Sequence, residues 1–381
     1  ACEHFYIVTE PIDGLTQMPV LRVPDECAYY KEDAGKMLLG AFEPLSKPWA
    51  MNGIPQDFEF DQLPEDFDHF EPILESAVER MPMLAEAGIH TFFNGPESFT
   101  PDDAYHLGLA PDMDNVWVAA GFNSIGIQSA GGAGQALAQW MEGGQKPFDL
   151  GDVDINRMQP FQGNKHYLFE RSKETLGLLY ADHFPYLQKR TARGVRRTPF
   201  HQHLKENGAV FGELSGWERA NWFARQGDDV SEEASHTWDR QGPWAPRIRE
   251  EAENVRDNCG VLDLPGFSRF NLSGAGAAQY LLGLITGGLP KIGRMNLAYF
   301  SDTRGRILTE MSVIRHEHDR FTLITAASAQ WHDFDILNNG LPELLTLKDN
   351  TNETSTIIVT GPKSRDVLNA IGTDADLSLG W

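Results

Sequence analysis

Asn115-Val116-Trp117-Val118-Ala119-Ala120, then Gly121-Phe122-Asn123-Ser124-Ile125-Gly126, then Ile127 to Glu142 and Gly143-Gly144, is the stretch on which the fold turns. The first six residues read as a strand, the next six as a glycine-bounded turn, and the rest as a helix of small residues that two glycines end. A helix that starts on such a turn presents unpaired N–H groups and a partial positive charge, which favours an anion or a group that becomes anionic. Gly121 and Gly126 permit close backbone approach, and Gly131, Gly132 and Gly134 would let the helix pack tightly. The plain alternative is a structural strand-to-helix turn, since glycine-rich turns are common.

Upstream lies Asn94-Gly95-Pro96-Glu97-Ser98-Phe99-Thr100-Pro101-Asp102, a polar loop stiffened by two prolines. Tyr6–Thr9, Ala28–Tyr30 and Met37–Gly40 are short strand-like runs. Phe67 to Ala87 carries Phe70, Ile73, Leu74, Ala77, Met81 and Leu84 at helical spacing. Pro72 is expected in its first turn, and Pro82 is expected to kink or end it. Downstream, Lys146 to about Arg197 connects, with a helix expected in 165–187. Its basic cluster Lys189, Arg190, Arg193, Arg196 and Arg197 suits an anion or a solvated linker. From Thr198 on strands predominate, at 267–272, 295–300, 307–315, 320–325 and 356–360, with a helix near 364–371.

Length and charge narrow the classes. The 381 residues suit two or three domains. A net charge of −23 argues against nucleic acid, which needs clustered cations. No run has the length of a membrane span, and no basic secretory leader is visible, so no membrane partner and a cytoplasmic or mitochondrial-matrix location are expected. Cys2, Cys27 and Cys259 are scattered and suit a reducing compartment. His201 with His203, and His316 with His318, lack a third ligand at metal spacing, so no metal is expected. Neither Ala1 nor Trp381 reads as a natural terminus, and a fragment is expected.

The loop at 94–102 together with Val118-Ala119-Ala120-Gly121-Phe122-Asn123-Ser124-Ile125-Gly126-Ile127-Gln128-Ser129-Ala130-Gly131-Gly132-Ala133-Gly134 resembles the dimethylglycine dehydrogenase and sarcosine dehydrogenase family. Glu3-His4-Phe5-Tyr6-Ile7-Val8-Thr9-Glu10-Pro11-Ile12, Pro19-Val20-Leu21-Arg22 and Tyr29-Tyr30 fit the same family. Gly216-Trp217-Glu218-Arg219-Ala220-Asn221-Trp222-Phe223 resembles the start of its folate-binding half. Gly305-Arg306-Ile307-Leu308-Thr309-Glu310-Met311-Ser312-Val313 and Phe321-Thr322-Leu323-Ile324-Thr325 resemble the aminomethyltransferase fold of the glycine cleavage system. The likeness runs in order along nearly the whole chain.

The resemblance implies an α+β and α/β multidomain fold. Its expected parts are the C-terminal part of a D-amino-acid-oxidase-like FAD domain (1–145), a central connecting domain (146–200) and the N-terminal part of an aminomethyltransferase-like folate domain (201–381). No G-x-G-x-x-G follows a strand, so the dinucleotide fingerprint of the family is absent from this sequence. The implied reaction is oxidation of an N-methyl amine by FAD, with the one-carbon unit passed to tetrahydrofolate. An electron-transfer flavoprotein is the implied partner of a dehydrogenase, oxygen that of an oxidase. Gly121, Phe122, Asn123, Ser124, Ile125, Gly126 and Ile127, with Pro96 and Thr100, are the implied FAD contacts, led by Asn123, Ser124 and Ile127. Tyr30 is the implied substrate-side tyrosine and His4 a second catalytic candidate. Glu310 is the implied folate-side carboxylate, and Tyr299, Trp217 and Trp222 the rings for a pterin. Each has a plain structural alternative: a core tyrosine, a solvated edge-strand glutamate, buried aromatics. A regulatory subunit of pyruvate dehydrogenase phosphatase type shares the architecture and is the alternative function.

Overall fold

The computed structural model describes every residue except 112, 182–186, 236, 240, 375, 376 and 378–381. Contacts divide the chain into two compact units, Ala1–His183 with Lys189–Ala192, and Phe184–Gln188 with Arg193–Trp381.

In the first unit, β1 (Cys2–Thr9), β2 (Leu21–Val23), β3 (Ala28–Asp33), β4 (Lys36–Ala41) and β5 (Ile89–Glu97) form an antiparallel sheet in the order β2-β3-β4-β1-β5. Side chains alternate across such a sheet. Phe5, Ile7, Ala28, Tyr30, Met37, Leu39 and Ala41 therefore share one face, and they are buried with Phe70, Ile73 and Ala77 of α1 (Phe67–Arg80). Burying one such side chain contributes roughly 1.5–3 kcal/mol. Asp66 caps α1, accepting from the His69 N–H at 3.1 Å.

One expectation about this helix differs from the structure, and the other, that Pro82 kinks or ends it, agrees. Pro72 sits inside α1, past its first turn, where its missing N–H costs a backbone bond. The helix also stops at Arg80, and Pro82–Glu86 continues as a separate 3-10 turn, because Pro82 fits a new first turn better than a helix interior.

The second part of this unit pairs β6 (His106–Leu109) with β7 (Trp117–Ala120) as an antiparallel hairpin, followed by α2 (Gly126–Gly143). Gly144 ends α2 in the left-handed conformation, φ 66°. Ala133, Ala136 and Leu137 of α2 are buried against Leu107 and Leu150, while Gly131, Gly132, Gly134, Gln135 and Ala138 are exposed. α3 (Lys165–Tyr180) follows, and its Leu176 is buried with Cys2 and Phe99. Helix expected for 181–187 meets an extended cap at Ala181, and 182–186 lie outside the described residues.

In the second unit, α4 (His201–Glu206) precedes the hairpin of β8 (Ala209–Leu214) and β9 (Trp217–Phe223). Then come α5 (Glu232–Ser235), α6 (Trp244–Asp257), β10 (Gly260–Asp263), β11 (Phe267–Ser273), α7 (Ala277–Leu284), β12 (Ile285–Thr286), β13 (Arg294–Ser301), β14 (Ile307–Glu317) and β15 (Arg320–Ala326). α8 (Gln330–Asn338), β16 (Thr346–Asp349), β17 (Ile357–Thr360) and α9 (Ser364–Ala370) complete it. Six strands form an antiparallel sheet, β12-β13-β14-β15-β11-β16, and β10 pairs with β17. Phe270, Leu272, Ala298, Phe300, Met311, Val313, Phe321 and Leu323 cover one face of the large sheet, with Leu281 of α7 and Leu337 of α8. Buried Asp333 accepts the hydroxyls of Thr309 and Thr325, tying α8 to β14 and β15.

Candidate functional site

The face of the first sheet away from α1 carries the polar and aromatic chemistry. Alternation puts His4 and Tyr6 of β1, Tyr29 of β3, Gly40 of β4, and Phe93, Gly95 and Glu97 of β5 on it. The register sets Tyr29 and Tyr6 opposite Gly40, Tyr6 opposite Phe93, and His4 opposite Gly95. A Cβ on Gly40 would lie 1.9 Å from Tyr29 Cζ, so only glycine lets that ring lie across the strand. Tyr6 stacks on Phe93 with ring centres 4.6 Å apart. Phe42, just past β4, lies 5.2 Å from Tyr29 and stacks on Tyr180 of α3 at 3.8 Å.

His4 anchors a buried polar pair on this face. Its Nδ1 lies 3.0 Å from Glu43 Oε2, and Glu43 Oε1 accepts the Phe5 N–H at 3.0 Å. Glu43 is only 2% exposed. Burial pulls the His4 pKa down, but the hydrogen bond to Glu43 and the charges of Glu43 and Glu97 outweigh it, and the value is raised. Burial pushes the Tyr29 hydroxyl up to about 12, helped by Glu43, Tyr6, Glu97 and Tyr180.

Tyr180 joins this face to the glycine turn. Its hydroxyl donates to the Asn123 backbone oxygen at 3.2 Å. In the turn Gly121, Asn123 and Ser124 all have left-handed φ (69°, 49° and 66°), a costly arrangement for the two non-glycine residues. The Asn123 side chain holds it: Oδ1 accepts the Thr100 N–H at 2.7 Å, and Nδ2 donates to Thr100 Oγ1 at 3.1 Å. Asn123 and Thr100, expected at a cofactor, thus turn their polar groups on each other and are buried. A Cβ on Gly121 would lie 2.6 Å from Thr100 Cγ2, and His106 stands on the same side. Burial first, then Arg157, pushes the His106 pKa down, and its Nδ1 has no partner among the described residues. Arg157 in turn holds the 94–102 loop, with both Asp102 oxygens at 2.7 and 3.0 Å.

The start of α2 is open. No side chain caps it, no acidic residue stands in its first turn, and Ser124 and Ile127 are exposed. Phe122 turns away to stack on Tyr105 at 4.6 Å, while Ile125 and Gly126 are half-buried at the helix entrance. Pro96 is half-buried on β5 opposite Glu3.

Tyr30 lies elsewhere. It is fully buried on the α1 face, and its hydroxyl has no partner in hydrogen-bond geometry. Burial and the nearby Glu26 carboxylate push it up to about 12, with Arg80 opposing. Strand alternation sends Tyr29, its neighbour in sequence, to the aromatic face instead. Sequence reading gave no site role to Tyr6, Tyr29, Phe42, Glu43, Phe93, Glu97 or Tyr180. For Tyr29 the period-2 pattern of β3 was the usable signal; for Tyr180 there was none, since its partners lie far away in the chain.

In the second unit, Tyr299 and Glu310 are cross-strand partners on the face of the large sheet opposite its core. Tyr299 is 41% exposed, and Glu310 is exposed. Trp217 and Trp222 are buried. Arg196 stands 4.4 Å over the Trp217 ring, and the indole N–H has no partner among the described residues. Burial pushes Arg196 down to about 10, with Arg269 adding and Asp349 opposing. Two members of the basic cluster are paired internally: Lys189 with Asp103 at 2.7 Å and Arg193 with Glu218 at 2.5 Å. His201 stacks on Phe211, and His316 bonds Thr322 at 2.9 Å.

Comparison with known proteins identifies the domains that carry these residues. Residues 1–140 match the model for FAD dependent oxidoreductases, 143–198 that for the FAD dependent oxidoreductase central domain, and 200–380 that for the GCVT N-terminal domain. The chain is 37% identical over 377 residues to a 4-methylaminobutanoate oxidase (formaldehyde-forming) of Paenarthrobacter nicotinovorans, covering 98% of this chain and 45% of that protein. It is 29% identical to the mitochondrial dimethylglycine dehydrogenase of Rattus norvegicus, covering 99% of this chain and 45% of that one. It is also 31% identical to the mitochondrial pyruvate dehydrogenase phosphatase regulatory subunit of Mus musculus, covering 97% and 43%. The chain thus spans about half the length of the curated relatives it matches. Along its length the chain thus carries, in order, an FAD dependent oxidoreductase part, that family's central domain and a GCVT N-terminal domain, and it is similar throughout to dimethylglycine and sarcosine dehydrogenases.

Proposed function

We propose that the chain supplies the amine-binding and flavin-facing part of an enzyme that oxidatively demethylates an N-methyl amine such as dimethylglycine or sarcosine. In this reading 1–145 is the oxidoreductase part, 146–200 the connector, and 201–381 the part that receives the one-carbon unit on tetrahydrofolate. The carrying observation is Tyr180, whose ring stacks on the aromatic sheet face while its hydroxyl holds the glycine turn. Amine-binding chemistry and the helix start are thereby neighbours.

The residues fit a flavin. The uncapped start of α2, free of acidic side chains, offers backbone N–H donors to a group that gains negative charge. Ser124, Ile125, Gly126 and Ile127 are the contacts there, with Gly121 and Phe122 shaping the turn and Pro96 on the strand beside it. FAD, when bound, would accept a hydride from the N-methyl carbon. Tyr29 and His4 orient the amine, and the His4–Glu43 pair keeps a proton at His4 Nδ1. Tyr30 serves from the core by fixing β3 and so the position of Tyr29.

On the folate side, Tyr299 and Glu310 fit a pterin better than the tryptophans, because both are exposed on one face. Glu310 would take up the proton that the folate amine loses as its nitrogen traps the iminium carbon, and Tyr299 would stack on the pterin. Trp217 is buried under Arg196 and supports the hairpin. A dehydrogenase would pass electrons to an electron-transfer flavoprotein and an oxidase to oxygen.

An anaerobic absorbance spectrum with FAD, before and after dimethylglycine, sarcosine or 4-methylaminobutanoate, tests this. Bleaching of bound flavin by one of them is the expected result. Bound flavin that none of them bleaches, in the full-length protein, would favour the regulatory alternative that the 31% identical phosphatase subunit suggests.

A further inference from the structure

We propose that Arg157 is the positioning residue of the glycine turn at 121–126: it fastens the loop at 102–105, and that loop holds the turn in the shape that opens the start of α2. What the helix start receives rests on the flavin reading above. Arginine carries its N–H donors in a fixed planar fork. The Arg157 fork makes five hydrogen bonds, one from Nε and two from each terminal nitrogen. Nε and Nη2 donate to the two Asp102 oxygens at 2.7 and 3.0 Å, and Nη2 also donates to the Ala104 oxygen at 2.6 Å. Nη1 donates to the Tyr105 and Asp154 oxygens at 3.0 and 3.1 Å. One side chain thus fixes both the carboxylate and the backbone of a four-residue stretch.

Two routes lead from this stretch to the turn. In the first, the Ala104 oxygen also accepts the Thr100 hydroxyl at 2.9 Å, and Thr100 is paired with the Asn123 side chain through its N–H and its Oγ1. In the second, the Tyr105 ring stacks on Phe122, with 4.6 Å between centres and 18° between planes. The turn needs such support, because Gly121, Asn123 and Ser124 are all left-handed and two of them carry side chains that disfavour that conformation. His106, opposite Ala120 in the β6–β7 hairpin, lies against the same Gly121. Burial first, and then the Arg157 charge, lowers its pKa, with Asp102 opposing, so its ring reports on that charge. The nearby Asp154 carboxylate is paired with Lys146. Arg157 lies in the stretch that matches the central domain, 143–198, while the turn lies in the oxidoreductase part, 1–140. The connector thereby sets the geometry of the part before it.

Hydrogen exchange of the full chain tests this, read by mass spectrometry on peptides spanning 98–106 and 120–126, with β3 and β4 as the reference. Arg157→Lys keeps the charge and loses the fork, while Arg157→Gln loses both. In either variant exchange should rise about tenfold or more in both peptides, and β3 and β4 should keep their rates. If Arg157→Gln fails to fold, Arg157→Lys alone decides. The His106 ring signals, titrated by NMR, separate charge from geometry: the pKa should rise further in Arg157→Gln than in Arg157→Lys. Equal His106 values in the two variants would show the guanidinium standing away from the turn and overturn the proposal. A rise confined to 98–106 would overturn it too, since the loop would then have no hold on the turn. So would unchanged exchange in Arg157→Lys, or an equal rise in β3 and β4, which marks general loosening. The two readings fail separately. Exchange that rises as expected, with no loss of FAD affinity in the full-length protein, keeps the positioning role and removes the flavin from the start of α2. FAD affinity lost without a change in exchange removes the positioning role and leaves the flavin.

Discussion

At the scale of single residues, His4 and Tyr30 show how two adjacent readings of one sheet diverge. His4 has a pKa raised by Glu43 and Glu97 against its burial. A raised histidine value means that the pair's contribution is complete below the ordinary histidine range, near 6.5, and is lost as pH rises through the raised value. His4→Gln should therefore cost most in acid to neutral solution, and its stability gap to wild type should shrink toward alkaline pH. Urea unfolding at several pH values measures this, and a gap that widens with pH would refute the pairing. Tyr30 offers the opposite test. Its hydroxyl is buried without a partner in hydrogen-bond geometry. Tyr30→Phe should leave stability within about 1 kcal/mol of wild type, or raise it, because no made hydrogen bond is lost. A loss of several kcal/mol in the same unfolding assay would show that Glu26 does hold that hydroxyl.

Among the elements, α2 and α3 set contrasting tolerances for glycine. Gly177 in α3 meets the backbone of Pro44, where an added Cβ would lie 2.7 Å from Pro44 Cα and 2.9 Å from the Glu43 oxygen. Gly177→Ala is expected to cost roughly 1–3 kcal/mol. It should also disturb Glu43 and so lower the His4 pKa, read as a shift of the His4 ring signals in an NMR titration. Gly131 in α2 has open space around it. Gly131→Ala should instead stabilise by about 0.5–1 kcal/mol through helix propensity. If a bound flavin packs on this helix face, the same substitution will weaken FAD binding, so thermal melts with and without FAD separate the two effects. Sequence spacing located both helices well, since small-residue and capping signals are local. It could not show that the residues of α3 reach the 43–44 backbone, a contact made across more than a hundred residues.

Across the whole molecule, each unit has its own hydrophobic core. Phe70→Ala, which opens the core under the first sheet, should cost about 3–5 kcal/mol. That loss should appear in the transition of the first unit, followed by the fluorescence of Trp49, Trp117 and Trp140, while probes on Trp222 and Trp331 keep their midpoint. A common shift of all probes would show one cooperative unit. The sequence by itself determined the glycine turn, the family likeness and part of the element order, including the helices at 67–80, 126–143 and 165–180, because propensity, capping and periodicity act over a few residues; it read 94–102 as a loop, where β5 runs on to Glu97 through pairing with β1. It named Tyr30, which the structure buries in the core while Tyr29 takes the aromatic face, and it could not show that Asn123 bonds Thr100. Only the tertiary structure decided that His4 meets Glu43, that Tyr6 stacks on Phe93, and that Tyr180 joins the sheet face to the turn. Those groups meet through strand register and helix docking, which depend on burial summed over the whole unit and leave no local mark in the chain.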